Sequence, residues 1–163
     1  MLLFDSLFSE AHSKEIMYKG KKVQRIFNIR NLGKYRIRFT FVKTNSPYTQ
    51  VIKVFFVDFR GEIYLEGRKI QPSRGKFSQL AFFENTAPQQ FELEIHIREG
   101  ELFVCNASDP IGTNQFAHSM IYGCAMIQEE LGENRYRFYC NDHESDDDFD
   151  DLIFDLEILP VEE

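Results

Sequence analysis

The sequence has no tryptophan, only three cysteines and no long apolar run. Cys105, Cys124 and Cys140 form no Cys-x-x-Cys pair, and their odd number argues against a closed disulfide framework. We expect them to be buried as small hydrophobic residues. No stretch predicts a membrane span or a signal peptide. The sequence as written therefore predicts a cytoplasmic protein without membrane association, which would be extracellular only if a longer precursor supplied an export signal.

The motifs of common enzyme families are also missing. His12, His96, His118 and His143 are scattered, without the spacing of a zinc or cupin metal centre. The sequence contains no Gly-x-Ser-x-Gly elbow, no P-loop and no dinucleotide fingerprint. His96 alternates with apolar neighbours and is expected on an outer face. These patterns favour a protein that is not an enzyme.

The 163 residues suit one domain, and their net charge of −7 is distributed unevenly. Residues 142–163 contain eleven Asp or Glu and no Lys or Arg, whereas residues 14–43 contain ten Lys or Arg and a single Glu. The basic stretch could bind a polyanion, but the low pI and the lack of RNA- or DNA-binding motifs disfavour nucleic acid. We expect its strand face, Arg36 and Arg38, to pair with Glu92 and Glu94 of a neighbouring strand.

Alternation of apolar and polar residues predicts an all-β fold. Strands with a period of two are predicted around Tyr35–Phe41, Phe91–Ile97 and Leu152–Ile158, and Val51–Val57 is apolar enough to be covered on both sides. About nine or ten short strands, joined by tight turns, predict an antiparallel, jelly-roll-like β-sandwich. The apolar spacing of Leu3, Leu7, Phe8 and Ala11 predicts a short helix before it. We therefore expect a helical segment over 1–20 and a single β-sandwich domain over 21–163.

Glycine-containing turns separate the predicted strands. Hairpin connections are expected at Arg60-Gly61, Glu99-Gly100 and Gly132-Glu133-Asn134. The stretch Ile121–Leu131 fits either a helix or two strands, and we favour strands. The oxygen-rich stretch 106–114 suits a ligand-binding loop, but a connection stabilised by side-chain turns explains it more simply.

The acidic segment that follows the predicted strand Tyr136–Asn141 is the most informative part of the chain. It contains seven carboxylates within ten residues, which repel one another unless water or a cation compensates them. Calcium takes six to eight oxygen ligands and binds more tightly as ligand charge rises. The predicted calcium ligands are Asp142, Asp146, Asp148, Asp150 and Asp151, with Phe149 turned into the core. A solvated acidic loop is the simpler alternative.

The closing segment resembles a known family. Tyr136–Asp142, followed by Asp146-Asp147-Asp148-Phe149-Asp150-Asp151 and an apolar strand, is similar to the end of bacterial β-sandwich modules in surface and adhesin-like proteins. The resemblance covers about the last fifth of the chain, and Asp150 stands where the family usually has Asn. It implies that Asp142, Asp146, Asp148 and Asp151 are calcium ligands.

Three functions are compatible with these features. The first is a non-enzymatic binding module for a protein or carbohydrate, with a calcium-stabilised C-terminal loop. The second is an intracellular assembly subunit, in which the acidic pole of one copy meets the basic pole of another to form a homo-oligomer. The third is a hydrolase that depends on a divalent metal held by the acidic cluster.

Overall fold

The computed structural model describes residues 4–30, 33–72, 79–114, 124–142 and 148–161. Within these ranges the chain forms one helix and eleven strands, and every strand pair is antiparallel. The predicted all-β class with a short N-terminal helix is confirmed. The elements are α1 (Phe4–Ala11), β1 (Glu15–Tyr18), β2 (Lys21–Gln24), β3 (Phe27–Ile29), β4 (Gly33–Thr44), β5 (Thr49–Leu65), β6 (Arg68–Lys69), β7 (Gln79–Phe83), β8 (Gln90–Asp109), β9 (Ala125–Gly132), β10 (Arg135–Asn141) and β11 (Leu152–Pro160).

The strands form one continuous sheet that folds back on itself in the manner of a sandwich. Its order is β1-β2-β9-β10-β11-β4-β8-β5-β6, with β3 paired to β8 and β7 paired to β5. Phe27 of β3 packs against Tyr136 and Phe138 of β10 at ring-centroid distances of 5.0 and 5.2 Å, although these strands are not hydrogen-bonded neighbours. Aromatic packing across the fold therefore closes the core between two halves of a single sheet.

The predicted hairpin turns at Arg60-Gly61 and Glu99-Gly100 are wrong, because β5 and β8 run through them and pair along most of their length. A Cβ atom on Gly100 would lie 2.5 Å from the backbone oxygen of Asp58, and Gly61 is crowded in the same way. These glycines therefore allow two backbones to approach closely at a register shift. The strands bend at this point instead of reversing.

Other local predictions are confirmed. Gly132-Glu133-Asn134 connects β9 to β10, with Asn134 in the left-handed region at φ 57°. β9 begins at Ala125, which supports the strand assignment for the second part of 121–131; residues 121–123 lie outside the described ranges. Although its composition also suits a helix, β9 lies between β2 and β10, and pairing with both decides its conformation.

The N-terminal helix is shorter than the predicted helical segment 1–20. It ends at Ala11, and the rest of that segment contains β1 and the turn at Gly20 that leads into β2. The helix buries Phe4 and Phe8 against an apolar cluster that also contains Phe149. No helix within the described part of the chain is both long and apolar enough to cross a membrane.

The alternation predicted for β4 is confirmed by burial. Its apolar residues face the core and its arginines lie on the outer face; the buried ones are Tyr35, Ile37, Phe39 and Phe41. All three cysteines are buried and free, as expected.

Candidate metal centre

The acidic segment lies at the end of the sheet where β10 finishes and β11 begins. Asp142 follows β10, and the described part resumes with Asp148-Phe149-Asp150-Asp151 before β11. Residues 143–147 lie outside the described ranges, and with them the predicted ligand Asp146 and the histidine His143. Because β10 and β11 are adjacent antiparallel strands, Asp142 and the residues 148–151 lie at the same end of the sheet.

Three of the five predicted metal ligands converge. Asp148, Asp150 and Asp151 each contribute one carboxylate oxygen to a group whose members all lie within 4.8 Å of one another. Burial increases along the group, because Asp148 is exposed, Asp150 is half-buried and Asp151 is 4 % exposed. Three negative charges at this separation repel one another, and the repulsion grows as water is excluded. The group could hold a metal ion.

Asp150 has one carboxylate oxygen with a hydrogen-bond donor and one without, among the described residues. The Nδ2 of Asn45 donates a hydrogen bond to Oδ2 of Asp150 at 2.9 Å. The other carboxylate oxygen, Oδ1, is buried and has no hydrogen-bond partner among the residues that the structure describes. A buried acceptor without a donor costs about 1–3 kcal/mol, and more when it is charged. A cation bound to Oδ1 would remove that cost.

Asp142 lies behind the group of three and not within it. Its carboxylate Oδ2 accepts hydrogen bonds from Oγ of Ser46 at 2.5 Å and from Nε2 of Gln50 at 3.4 Å. Its backbone N–H donates to Oδ2 of Asp151 at 3.0 Å. Asp142 is 1 % exposed and joins the acidic segment to the loop between β4 and β5. This arrangement supports a positioning role for Asp142.

Phe149 anchors the segment as the sequence predicts. Its side chain is 7 % exposed, and its ring packs edge-on against Phe4 of the helix at 5.3 Å. Its backbone N–H donates to Oδ1 of Asn141 at 2.8 Å. Phe149 has φ 54°, a conformation that a bulky residue adopts only when its surroundings require it. With Phe149 held in the core, the aspartates on either side of it lie toward the surface.

A buried polar layer beneath the acidic segment was not predicted from the sequence. Gln50, Asn106 and Asn141 are each at most 1 % exposed, and Nδ2 of Asn106 donates to the backbone oxygen of Asn141. Oε1 of Gln50 and Oδ1 of Asn106 are buried, and no residue in the described ranges donates a hydrogen bond to them. The oxygen-rich composition of 106–114 was the available signal, but residues up to Asp109 belong to β8 and do not form a loop.

The remainder of that stretch is a connection stabilised by a side chain, as the simpler explanation predicted. The carboxylate of Asp109 accepts backbone hydrogen bonds from Ile111 and Gly112 at 3.0 Å and from Asn114 at 2.7 Å. These bonds close the turn after β8. Its carboxylate oxygens are thus committed to the backbone of the turn.

The buried thiols near the acidic segment are held in the protonated form. Burial raises the pKa of Cys124 well above its usual value, and the neighbouring Cys105, Asp142 and Asp151 raise it further. Burial likewise raises the pKa of Cys140. A protonated, buried thiol is a poor nucleophile.

The two arginines of β4 are paired within the chain. Arg38 contacts Glu92 at 2.8 Å and Glu157 at 3.6 Å, and Arg36 lies 3.7 Å from the same Glu92. The predicted cross-strand pairing with Glu92 is therefore present, and His96 pairs with Glu94 at 2.8 Å. Because these arginines already have acidic partners, they are less available to a polyanion or to the acidic pole of another copy.

Comparison with known proteins does not identify the chain. No family model, no curated protein and no solved structure matches it.

Proposed function

We propose that this protein is a non-enzymatic binding module whose C-terminal acidic segment holds one calcium ion. The observation that carries the proposal is the convergence of Asp148, Asp150 and Asp151, together with the buried Oδ1 of Asp150, to which no described residue donates a hydrogen bond. The alternative of a solvated acidic loop explains this oxygen less well, because a buried carboxylate oxygen seldom lacks a donor, and none of the described residues supplies one here.

The donor set favours calcium over other common ions. All three side chains offer carboxylate oxygens, which suit hard cations, whereas zinc and copper prefer nitrogen and sulfur ligands. The exposure of Asp148 leaves room for water as a further ligand. Calcium tolerates such an irregular shell, but magnesium requires near-octahedral geometry.

The ion would have a structural role. Asp151 immediately precedes β11, and its backbone N–H donates to the backbone oxygen of Cys140 in β10 at 3.1 Å. The backbone N–H of Asn45, just after β4, donates to the oxygen of Asp151 at 3.0 Å. Neutralising the aspartates would therefore stabilise the end of the sheet where β4, β10 and β11 meet. It would also stabilise the loops next to this end.

Thermal unfolding with calcium, with magnesium and with a chelator tests the proposal. At a calcium concentration one hundred times the Kd, a site present only in the folded state adds about 2.7 kcal/mol of stability. For a chain of this size we expect Tm to rise by roughly 5–10 °C. Magnesium should have a smaller effect at the same concentration.

Charge-neutral variants separate metal binding from general stability. Asp150→Asn should abolish the calcium-dependent rise in Tm while leaving the protein in chelator as stable as the wild type or more so, because one repelling charge is removed. The matched control is Asp58→Asn, at an exposed position in the bulge of β5, which should retain the full calcium response. If calcium leaves the Tm of the wild type unchanged, the acidic segment is only a solvated loop and the proposal is wrong.

A further inference from the structure

The outer face of the sheet carries a polar groove of about 500 Å³, on the side of β4, β8 and β5 that faces away from the core. Alternate residues of the three strands point to this face, while their neighbours Ile37, Leu93 and Ile95 are fully buried. The groove is lined by Arg36, Tyr64, Glu66, Gly67, Glu92, Glu94 and His96.

Strand register arranges these side chains in rows across the three strands. Arg36 of β4, Glu94 of β8 and Tyr64 of β5 lie opposite one another in the central row. Lys34, His96 and Glu62 form the row on one side of it. On the other side, Arg38 lies opposite Glu92, and the backbone N–H of Glu66 donates to the backbone oxygen of Glu92. Neighbouring rows on one face are separated by about 7 Å, and neighbouring strands by about 4.8 Å.

The side chains of the groove are held in place by one another. Nε2 of His96 lies 2.8 Å from Oε2 of Glu94, and Oε1 of Glu66 accepts a hydrogen bond from the backbone N–H of Glu92 at 2.8 Å. Nε of Arg38 donates to Oε1 of Glu92 at 2.9 Å. Because these groups are already ordered, a ligand that contacts them loses less conformational entropy on binding.

The charges of this face nearly balance, which argues against a strongly charged ligand. Five cations stand among five carboxylates on this face of the described strands. The cations are Lys34, Arg36, Arg38, Lys69 and Arg98, and the acids are Glu62, Glu66, Glu92, Glu94 and Glu157. Neither a polyanion nor a polycation would find a field of one sign here. Closely spaced donors and acceptors suit a neutral ligand with many hydroxyl groups. Nε of Arg36 is in addition buried, with no acceptor among the described residues.

An aromatic pair forms one wall of the groove. The rings of Tyr64 and His96 lie 5.0 Å apart at an interplanar angle of 46°, and both side chains are half-buried. Beside them, Gly67 has open space where a side chain would be, because no atom lies within 4 Å of a Cβ built on it. A flat apolar ring next to an array of hydrogen-bonding groups is the combination that recognises a molecule with an apolar face and a polar rim.

We propose that this groove binds a neutral carbohydrate, with a sugar ring on Tyr64 and its hydroxyl groups hydrogen-bonded to Arg36, Glu94 and His96. The carbohydrate site lies at a distance from the proposed calcium site. Arg36 and Thr44, which pairs with Leu152 beside the acidic segment, are about 25 Å apart along β4. Carbohydrate binding therefore does not depend on the metal, and either proposal can fail without the other.

Titration of the isotope-labelled chain with soluble neutral oligosaccharides, followed by NMR, tests the site. The probes are cellohexaose, xylohexaose, mannohexaose and maltohexaose, each measured with calcium and with chelator. We expect at least one of them to shift the backbone signals of residues 64–67 and 92–96 under both conditions. Tyr64→Ala and Glu94→Ala should each weaken that binding by about tenfold or more, whereas Tyr64→Phe should stay within about twofold of the wild type.

Matched controls distinguish loss of contact from loss of fold. Glu99→Ala removes a carboxylate that is paired with Arg60 at the bend of β8, outside the groove, and should leave affinity unchanged. Each variant should keep the Tm of the wild type to within a few degrees. The proposal is overturned if none of the four probes shifts these signals, if the shifts map elsewhere, or if Tyr64→Ala binds as well as Tyr64→Phe. Preferential binding of tetralysine at the same residues would overturn it in favour of a cationic ligand.

Discussion

The acidic segment at the end of the sheet and the outer face of β4, β8 and β5 use carboxylates in opposite ways. On the outer face, acids stand beside basic partners, as Glu92 does between Arg36 and Arg38. At the end of the sheet, Asp148, Asp150 and Asp151 stand beside one another. A paired array keeps its charges compensated at all times, whereas a cluster of like charges requires an external cation or water. Residue type therefore decides little until burial and neighbours are known.

Removing the anchor of the acidic segment should have the largest effect on stability. Phe149→Ala deletes a ring that is 7 % exposed and packs against Phe4, so we expect the free energy of unfolding to fall by about 3 kcal/mol in urea titrations. Phe149→Leu retains apolar volume and should cost less than about 1.5 kcal/mol. If Phe149→Ala lowers the free energy of unfolding no more than Phe149→Leu does, Phe149 does not anchor the acidic segment to the core.

An intermediate effect on stability is expected at high pH from Tyr35, which lies on the core side of β4. Burial raises the pKa of Tyr35 to about 12 from its usual 10, and its hydroxyl forms no hydrogen bond with the described part of the chain. Because the pKa is higher in the folded state, this contribution to stability is complete below pH 10 and is lost as the pH rises to about 12. It amounts to about 2–3 kcal/mol.

Urea unfolding measured from pH 8 to pH 12 checks this prediction for Tyr35. Tyr35→Phe removes the ionisable group, so the variant should lose less stability over this range than the wild type does. Equal losses in both proteins would show that ionisation of Tyr35 does not contribute.

The smallest effect is expected from the ion pairs of the outer face. A double-mutant cycle with Arg38→Ala and Glu92→Ala should give a coupling energy of about 0.5 kcal/mol, because both side chains are partly exposed and screened by water. Added salt should reduce it further. A coupling energy above about 2 kcal/mol would mean that the ion pairs of the outer face contribute substantially to the stability of the sheet.

Local patterns predicted most of the elements but not their continuity. Alternation located β4 and β11 and the first part of β8, and the burial of Phe39, Leu93 and Phe154 agrees with it. A glycine next to a charged residue, as in Arg60-Gly61 and Glu99-Gly100, indicates a hairpin turn as readily as a β-bulge. The sequence pattern therefore predicts a break in the middle of β5 and of β8, where the structure has continuous strands. The difference depends on the backbone of the opposite strand, which the local sequence does not contain.

The same reasoning applies to the candidate site. The density of acidic residues and the apolar Phe149 pointed to the segment and to its anchor. They did not distinguish Asp142, which hydrogen-bonds to Ser46 and Gln50, from Asp150, whose Oδ1 has no partner within the described ranges. Ser46 and Gln50 lie more than 90 residues from Asp142 in the sequence. No spacing rule connects residues that far apart.

The sequence by itself determined the all-β class, the inward and outward faces of its clearest strands and the concentration of negative charge near the C-terminus. These properties depend on local periodicity and composition, which each segment carries independently. Only the tertiary structure decided which aspartates converge, which of the basic residues are paired, and that Tyr64 and His96 share a groove with Arg36 and Glu94. Those relations depend on strand order and register, which the whole chain determines at once because every strand needs a partner for its backbone hydrogen bonds.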